Sequence, residues 1–404
     1  MTRGPLAGMR VIDFCWVGAG AIVTQALALQ GAEVIKIESA THPDNLRLSG
    51  PFRGDRIDLN GSGYFASRNS NKKSFALNMS HPRAPELARR LIATSSIVTS
   101  NFRPGVMERW GLDYESVRSV REDVVYLTMP MEGSTGPHRD FVGFGSTIAA
   151  VAGLLEPTGL PDLAPVGSGT HYPDHVPNPG HALVAVLAAL VRRERTGAGA
   201  QIELAQLEST VNVVGPSGLA ASLGATISRR GNRNGAATPR GVYPCSGEDT
   251  WCAISVDGDA QWRALTKVLE ADELADDARF ADEASRRRYE QELDAIVSTR
   301  TRLFQRAALA EQCQRAGIAA AAVATSGDLL FDENLTARGF WRSLEHQVMG
   351  RYHVGSLPFH CADDYGRPTE HAPLLGEHTK ELAQALLGMS AAEIEACRVE
   401  GLLQ

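Results

Sequence analysis

The sequence has no apolar run long enough to cross a bilayer. The longest, residues 182–191, is about half of the roughly 20 residues a spanning helix needs, so no membrane partner is expected. Basic residues are not in surplus either: the formal net charge is -7. A nucleic-acid backbone as main partner would need an excess of Lys and Arg. A small anionic ligand stays open, because a local basic cluster can hold one inside an acidic protein. There is no C-x-x-C pair. Six cysteines, Cys15, Cys245, Cys252, Cys313, Cys361 and Cys397, are scattered along the chain, which points to reduced, mostly buried thiols and away from a disulfide framework. No metal is expected. The first residues run directly into a strand pattern and leave no room for a signal peptide, so the expected compartment is the cytoplasm.

What is present is ordinary globular composition, 43% hydrophobic and 22% charged over 404 residues. That length exceeds what one core usually supports, so two domains are expected. The opening is the clearest local signal. A β-branched run at 9–14 ends in the small-residue loop Trp16-Val-Gly-Ala-Gly20, a helix is expected over 21–30, Gly31 stops it, and a second strand follows at 32–38. Strand, glycine loop, helix, strand is a βαβ unit and implies a parallel sheet.

The alternation continues with a helix over 85–95 and strands at 96–100 and 124–129. After a Gly/Pro-rich stretch come an apolar helix at 181–193, a strand at 201–205 and a helix over 206–222. The basic, glycine-rich connector at 229–235 is a plausible boundary. Beyond it the pattern gives a strand at 251–256, a helix from about 260, charged helices through 270–316 and a strand at 319–324. Two terminal helices follow near 378–388 and 391–403, the second capped by Ser390.

Gly18-x-Gly20 between strand and helix invites a dinucleotide reading, with Glu38 placed as a ribose-binding acid. The third glycine of that pattern falls on Val23, which argues against NAD(P). A glycine loop at a helix N-terminus still suits phosphates or carboxylates.

Several blocks, each weak alone, are specific in their order and spacing. They are Leu6-x-Gly8-x-Arg-Val-x-Asp13-Phe14, Gly31-Ala-Glu-Val-Ile-Lys-Ile-Glu38, Asn69-Ser-Asn-Lys-Lys-Ser74 and Asn101-Phe-Arg-Pro-Gly-Val-Met-Glu-Arg-Trp-Gly-Leu112. Tyr172-Pro-Asp174, Thr196-Gly-x-Gly199 and Ala372-Pro-Leu-Leu-Gly-Glu-His-Thr379 complete the set. In this the chain resembles the family III CoA-transferases, a group that includes the α-methylacyl-CoA racemases. The resemblance implies an α/β fold: a Rossmann-like large domain and a smaller α+β domain joined by long linkers, two protomers forming an interlocked-ring dimer. On that basis 1–224 is the N-terminal part of the large CoA-binding domain, 225–335 the small domain, and 336–404 the linker and return to the large domain.

The resemblance also implies that no cofactor is permanently bound and that coenzyme A and acyl-CoA are substrates, with a carboxylic acid as the other. The family's CoA-binding positions map onto Val17, Gly18, Ala19, Lys72, Lys73, Phe102, Arg103, Val106, Met107, Arg109 and Phe144. Lys72 and Lys73 are expected in a turn after Asn71, and the basic residues are suited to the 3′-phosphate and pyrophosphate of CoA. Arg109 comes first among them and Lys72 second. The family's nucleophilic aspartate maps onto Asp174, in a Gly/Pro-rich loop, as an acyl carrier. Backbone N–H groups of Gly18, Ala19 and residues 231–235 are candidates for an oxyanion hole. Alone, Asp174 reads as a turn or cap residue.

Two departures bear on the reaction. Racemases of the family carry a Gly-His-Asp motif where this chain has Gly143-Phe144-Gly145, and a phenylalanine cannot move a proton. Formyl-CoA transferases carry a glutamine where this chain has Gly18, and four consecutive glycines where it has Gly231-Asn-Arg-Asn-Gly235. Trp16 and the Tyr-Pro-Asp-His context are closer to the branch acting on larger acids, such as succinyl-CoA:benzylsuccinate transferases. Some members of that branch are paired subunits. The alternatives are therefore a racemase, or a non-catalytic subunit in a heteromer with a paralogue.

Overall fold

The computed structural model describes residues 4–54, 56–233, 237–363 and 365–404. The chain separates into two compact units. The first comprises Met1–Glu156, Val166–Ile227 and Asn334–Gln404, the second Pro157–Pro165 and Ser228–Glu333.

The first unit is built on six parallel strands: β1 (Arg10–Asp13), β2 (Glu33–Glu38), β3 (Lys72–Ala76), β4 (Ile97–Ser100), β5 (Val125–Thr128) and β6 (Ala200–Glu203), in the order β3-β2-β1-β4-β5-β6. Successive residues of a strand face opposite sides of a sheet, and here both sides are apolar. Val11, Val34, Ile97 and Val125 feed one core, where α1 (Ala19–Leu29) packs through Val23 and Leu27. Ile12, Ile35, Val98 and Tyr126 feed the other, together with Leu87 and Leu91. That second core also takes Leu382, Ile394 and Cys397 from the C-terminal helices Thr379–Leu387 and Ala391–Val399. The result is helix, sheet, helix in three layers. Strand order reverses between β1 and β4, and ligands of such sheets bind outside the carboxyl ends at that switch.

Further helices set the site's surroundings. They are α2 (Gly63–Asn69), α3 (Ala84–Ile92), α4 (Val106–Arg109), α5 (Tyr114–Arg118), α6 (Gly145–Val151), α7 (Tyr172–His175) and α8 (Pro177–Thr196). α8 starts four residues before the expected helix, because Pro177 and Pro179 lie in the first turn, where a missing N–H costs nothing. The single helix expected over 206–222 is broken into Gln206–Val211, a tight turn at Asn212–Val214 and Gly215–Ser222. Pro216, which has no N–H to continue the ladder, lies in the first turn of the last piece. Ser390 caps its helix as expected: its hydroxyl accepts from the Glu393 N–H, and the Glu393 carboxylate accepts from the Ser390 N–H.

The second unit has three antiparallel strands, Arg240–Pro244, Trp251–Ser255 and Ala319–Ala322. Its core gathers Cys252, Ile254, Trp262, Leu265, Leu293, Val297, Leu309 and Cys313. A two-stranded hairpin, Trp341–His346 with Gly350–Gly355, belongs to the first unit. Neither this hairpin nor the strand Arg240–Pro244 is among the expected elements. All six cysteines are free, five of them buried.

Candidate active site

The loop that follows β1 is held at nearly every backbone group by a side chain from elsewhere. Asp13, fully buried, accepts from the Cys15 N–H at 2.9 Å, the Thr99 hydroxyl at 3.0 Å and the Thr24 hydroxyl at 2.7 Å. Lys36 reaches across from β2: its ammonium donates to the Cys15 carbonyl at 2.6 Å and pairs with Asp44 at 2.8 Å. Asn101, just beyond β4, accepts from the Trp16 N–H and donates to the Trp16 carbonyl. Asp44 accepts from the Val17 N–H at 3.0 Å. Val17 lies at φ +62°, a conformation a β-branched residue rarely adopts. The chain therefore leaves the switch point between β1 and β4 in one fixed path, and Gly18 opens α1.

The two glycines of this loop have different jobs. A Cβ at Gly20 would lie 2.5 Å from the Cys15 Cβ, so that glycine lets α1 pack on the loop. A Cβ at Gly18 would lie 2.9 Å from the Cβ of Asp174. Asp174 sits in α7, a single helical turn with Pro173 at its start, where the sequence had suggested loop. On its other side a Cβ at Gly145 would lie 2.6 Å from Asp174 Oδ2. Asp174 is thus clasped between two glycines, at 6% exposure.

Burial pushes the Asp174 carboxyl up to about 6, against the opposing pull of nearby His171 and of the Gly145 N–H, which hydrogen-bonds to it. Its neighbour His175 goes the other way: burial, with electrostatic contributions from Arg68 and His171, lowers it to about 4. Neutral His175 is hydrogen-bonded to the Thr170 hydroxyl at 2.9 Å through Nδ1 and to Tyr64 Oη at 3.3 Å through Nε2.

Asp174 lines a cleft of about 570 Å³ beyond the strand ends, with Trp16, Val17, Gly18, Ala19, Phe102, Arg103 and Phe144. Six of the expected CoA-binding positions are therefore gathered around the expected nucleophile. Among the described residues lining the cleft, Asp174 and Arg103 are the only ionisable ones. Phe144 stands on the wall with 60% of its surface exposed, where a racemase of the family would carry histidine. Among the described residues, no group of His, Cys, Asp and Glu side chains could hold a metal ion.

The remaining expected positions lie elsewhere, and two are corrections. Lys72 is not in a turn but opens β3. Its ammonium is enclosed, bonded to the Thr24 hydroxyl, the Ala21 carbonyl and Asn69, with Asp13 at 3.5 Å, which leaves nothing for a phosphate. Met107 packs into the core beside α3. Lys73 pairs with Glu33 and Glu381 at the amino ends of the strands, opposite to the cleft. Val106 is half-buried at the start of α4, and Arg109 is exposed at its end, beside Gly105. Of the connector at 231–235, Asn234 and Gly235 lie outside the described residues. No role was assigned from sequence to Lys36, Asp44 or Gly145: Lys36 and Asn101 each lie inside a quoted block and Gly145 beside Phe144, but Asp44 carried no signal at all.

Comparison with known proteins fits this geometry. Residues 6–379 match the model of CoA-transferase family III. A probable CoA-transferase of Mycobacterium tuberculosis is 33% identical over 97% of the chain, though the chain spans only about half (49%) of that protein. A succinate–glutarate CoA-transferase of Agrobacterium fabrum is 29% identical, covering 95% of this chain and 96% of the other. The crystal structure of a CaiB/BaiF family protein from Brucella suis superimposes with a TM-score of 0.87 at 28% identity, covering 95% of this chain and all of that one. The six-stranded parallel sheet with its smaller antiparallel companion is the expected fold, and the chain belongs to CoA-transferase family III, a family of CoA-transferring enzymes.

Proposed function

We propose that the protein moves CoA from an acyl-CoA donor to a free carboxylic acid, with Asp174 as the covalent carrier. The observation that carries this is the position of Asp174 between Gly18 and Gly145 in the cleft at the strand switch. A carboxylate oxygen of Asp174 attacks the thioester carbonyl. Collapse of the tetrahedral oxyanion expels CoA thiolate and leaves a mixed anhydride. The thiolate attacks the Asp174 carbonyl, giving aspartyl-CoA thioester and releasing the donor acid. The acceptor carboxylate then attacks that thioester, again forming an anhydride and thiolate. Attack of the thiolate on the acceptor's acyl carbon yields the new acyl-CoA and restores Asp174.

The backbone N–H groups at the start of α1, Gly18 and Ala19, have no intrahelical acceptor and are suited to the oxyanions. Arg103 in the cleft and exposed Arg109 beyond it supply positive charge for the CoA phosphates. A racemase needs a second proton-transfer group across the substrate, and Phe144 occupies that position. Six free cysteines fit a reducing compartment such as the cytoplasm. An interlocked dimer is part of the same reading, checked by sedimentation.

The test is to add succinyl-CoA, reduce with borohydride and digest. A modified peptide carrying Asp174, absent from Asp174→Ala, is expected. A wild-type protein that exchanges CoA while residue 174 stays unmodified would overturn the carrier assignment.

A further inference from the structure

Charge is scarce around Asp174. Among the described residues lining its cleft, Arg103 is the only cation, and the CoA phosphates take it in the transferase mechanism. Asn101 and Gln206 line the cleft too, but each amide is engaged at both its oxygen and its nitrogen. Asn101 holds the Trp16 backbone, and Gln206 bonds Asn178 and the Met129 carbonyl. A second carboxylate on the substrate would thus be desolvated without a counter-ion and would face the charge of Asp174.

What the cleft does offer is an apolar wall of Met131, Phe141, Val142, Phe144 and Ile148. It begins beside the nucleophile. Gly145, whose N–H hydrogen-bonds to Asp174, opens α6. Phe144 immediately precedes it, and Ile148 follows within the first turn, its N–H donating to the Phe144 carbonyl at 2.9 Å. Gly143 lets the Met131 thioether lie against the same segment, since a Cβ there would be 2.9 Å from Met131 Sδ. The His138 ring stacks on Phe141 at 4.3 Å and braces it. Phe141, Val142 and Phe144 are 52%, 65% and 60% exposed. Large apolar side chains gathered in so short a segment, more than half exposed on the wall of a cleft, mark a surface that a ligand covers.

We propose that this wall is the acyl subsite, and that it selects as acceptor an acid with a bulky, uncharged apolar substituent, aryl or branched alkyl. This rests on the transferase reading above and adds the substrate class to it. The acid's carboxylate is joined to Asp174 through the mixed anhydride, and its substituent lies along the wall that begins at Phe144. Covering that surface removes apolar area from water, and the rings of Phe144 and Phe141 offer faces and edges to an aryl group. Phe144, adjacent in the chain to the glycine that holds the nucleophile, is the specificity-determining residue.

The test offers equal amounts of hydrocinnamate and glutarate to the full-length enzyme, with acetyl-CoA as donor in one series and succinyl-CoA in another. The ratio of hydrocinnamoyl-CoA to glutaryl-CoA, read by mass spectrometry, reports relative kcat/KM whatever the donor step costs. Wild type is expected to favour hydrocinnamate by about tenfold or more. Phe144→Ala should lower the ratio about tenfold, and Phe144→Arg, which places a cation on the wall, should reverse it toward glutarate. A ratio unmoved in both variants, or both products falling in parallel, makes Phe144 only a supporting residue and overturns the subsite. Should the variants fail to fold, wild type alone decides: a preference for hydrocinnamate below about threefold overturns the proposal. Exchange of CoA onto glutarate alone rejects the subsite while sparing the transferase reading, and no exchange onto either acid from either donor rejects both.

Discussion

Gly145 and Asp174 approach so closely that a Cβ on the glycine would lie 2.6 Å from the Asp174 Oδ2. The glycine's N–H also hydrogen-bonds to that carboxylate. Gly145→Ala should therefore displace the nucleophile without touching the CoA phosphates. We expect kcat to fall about 100-fold, in line with what misplacement of a reacting group costs, while KM for acyl-CoA changes by less than about threefold. Steady-state kinetics checks this, and a KM effect larger than the kcat effect would move Gly145 from positioning to substrate binding.

The pH dependence follows from the same burial. Asp174 is a nucleophile only when ionised, and its carboxyl is raised to about 6. The logarithm of kcat/KM should climb with unit slope below about pH 6 and level off above it. A midpoint near 4 would mean that substrate-free Asp174 is more solvated than its 6% exposure indicates.

Stability should move the opposite way. The folded-state value lies above the ordinary 3.8, so between those two values the native protein binds more protons than the unfolded chain, and stability falls as pH rises through that window. Above about pH 6 the full penalty is present, at most about 3 kcal/mol for this gap. Asp174→Asn removes it. The variant should be the more stable protein at pH 7.5, with the difference shrinking toward pH 4, as read from denaturant melts at both values.

Five strands of the parallel sheet were legible as short apolar runs set off by glycine and turn residues, whereas β3 (Lys72–Ala76) was missed because its Lys-Lys-Ser opening after Asn71 reads as a turn. The missed strand Arg240–Pro244 contains glycine and proline, which read as turn. The hairpin Trp341–Gly355 mixes Arg, Glu and His into its alternation. At the site, the cleft residues drawn from the two loops at the strand switch came out of sequence blocks. Lys72 and Met107 belong to those blocks too, yet serve the interior. Their chemistry fits phosphate or adenine as well as it fits a core, and only the direction of the side chain separates the two. Gly145 was met only as a departure from the racemase motif, and its clasp on Asp174 could not be read, since a glycine's role depends on what stands opposite.

Lys72 gives that point a measurable form. Its ammonium sits among Thr24, Asn69 and Asp13 with no exposure, and burial lowers it to about 8. Lys72→Met leaves Asp13 with one cation fewer in a closed interior, which typically costs about 3–5 kcal/mol. The expected signature is a large drop in stability with KM for acyl-CoA within about threefold of wild type. A phosphate ligand would show the reverse, a KM increase of tenfold or more at nearly constant stability.

Asp44 is the residue on which the loop's geometry turns. One of its oxygens accepts from the Val17 N–H at 3.0 Å and the Leu46 N–H at 2.9 Å, and the other pairs with Lys36 at 2.8 Å. The first contact holds Val17 at φ +62°, and the second neutralises the cation that grips Cys15. Asn in place of Asp keeps an acceptor for both N–H groups but loses the charge, whereas Ala loses both. Asp44→Asn should therefore lose stability, because Lys36 stays buried without its counter-ion, yet retain kcat within about threefold. Asp44→Ala should lose stability and also at least tenfold in kcat, since nothing then holds Val17 in its unfavourable conformation and the N–H groups of Gly18 and Ala19 lose their aim. Paired melts and kinetics on the two variants separate the contributions. Equal kcat in both would show that Val17 keeps its conformation without Asp44.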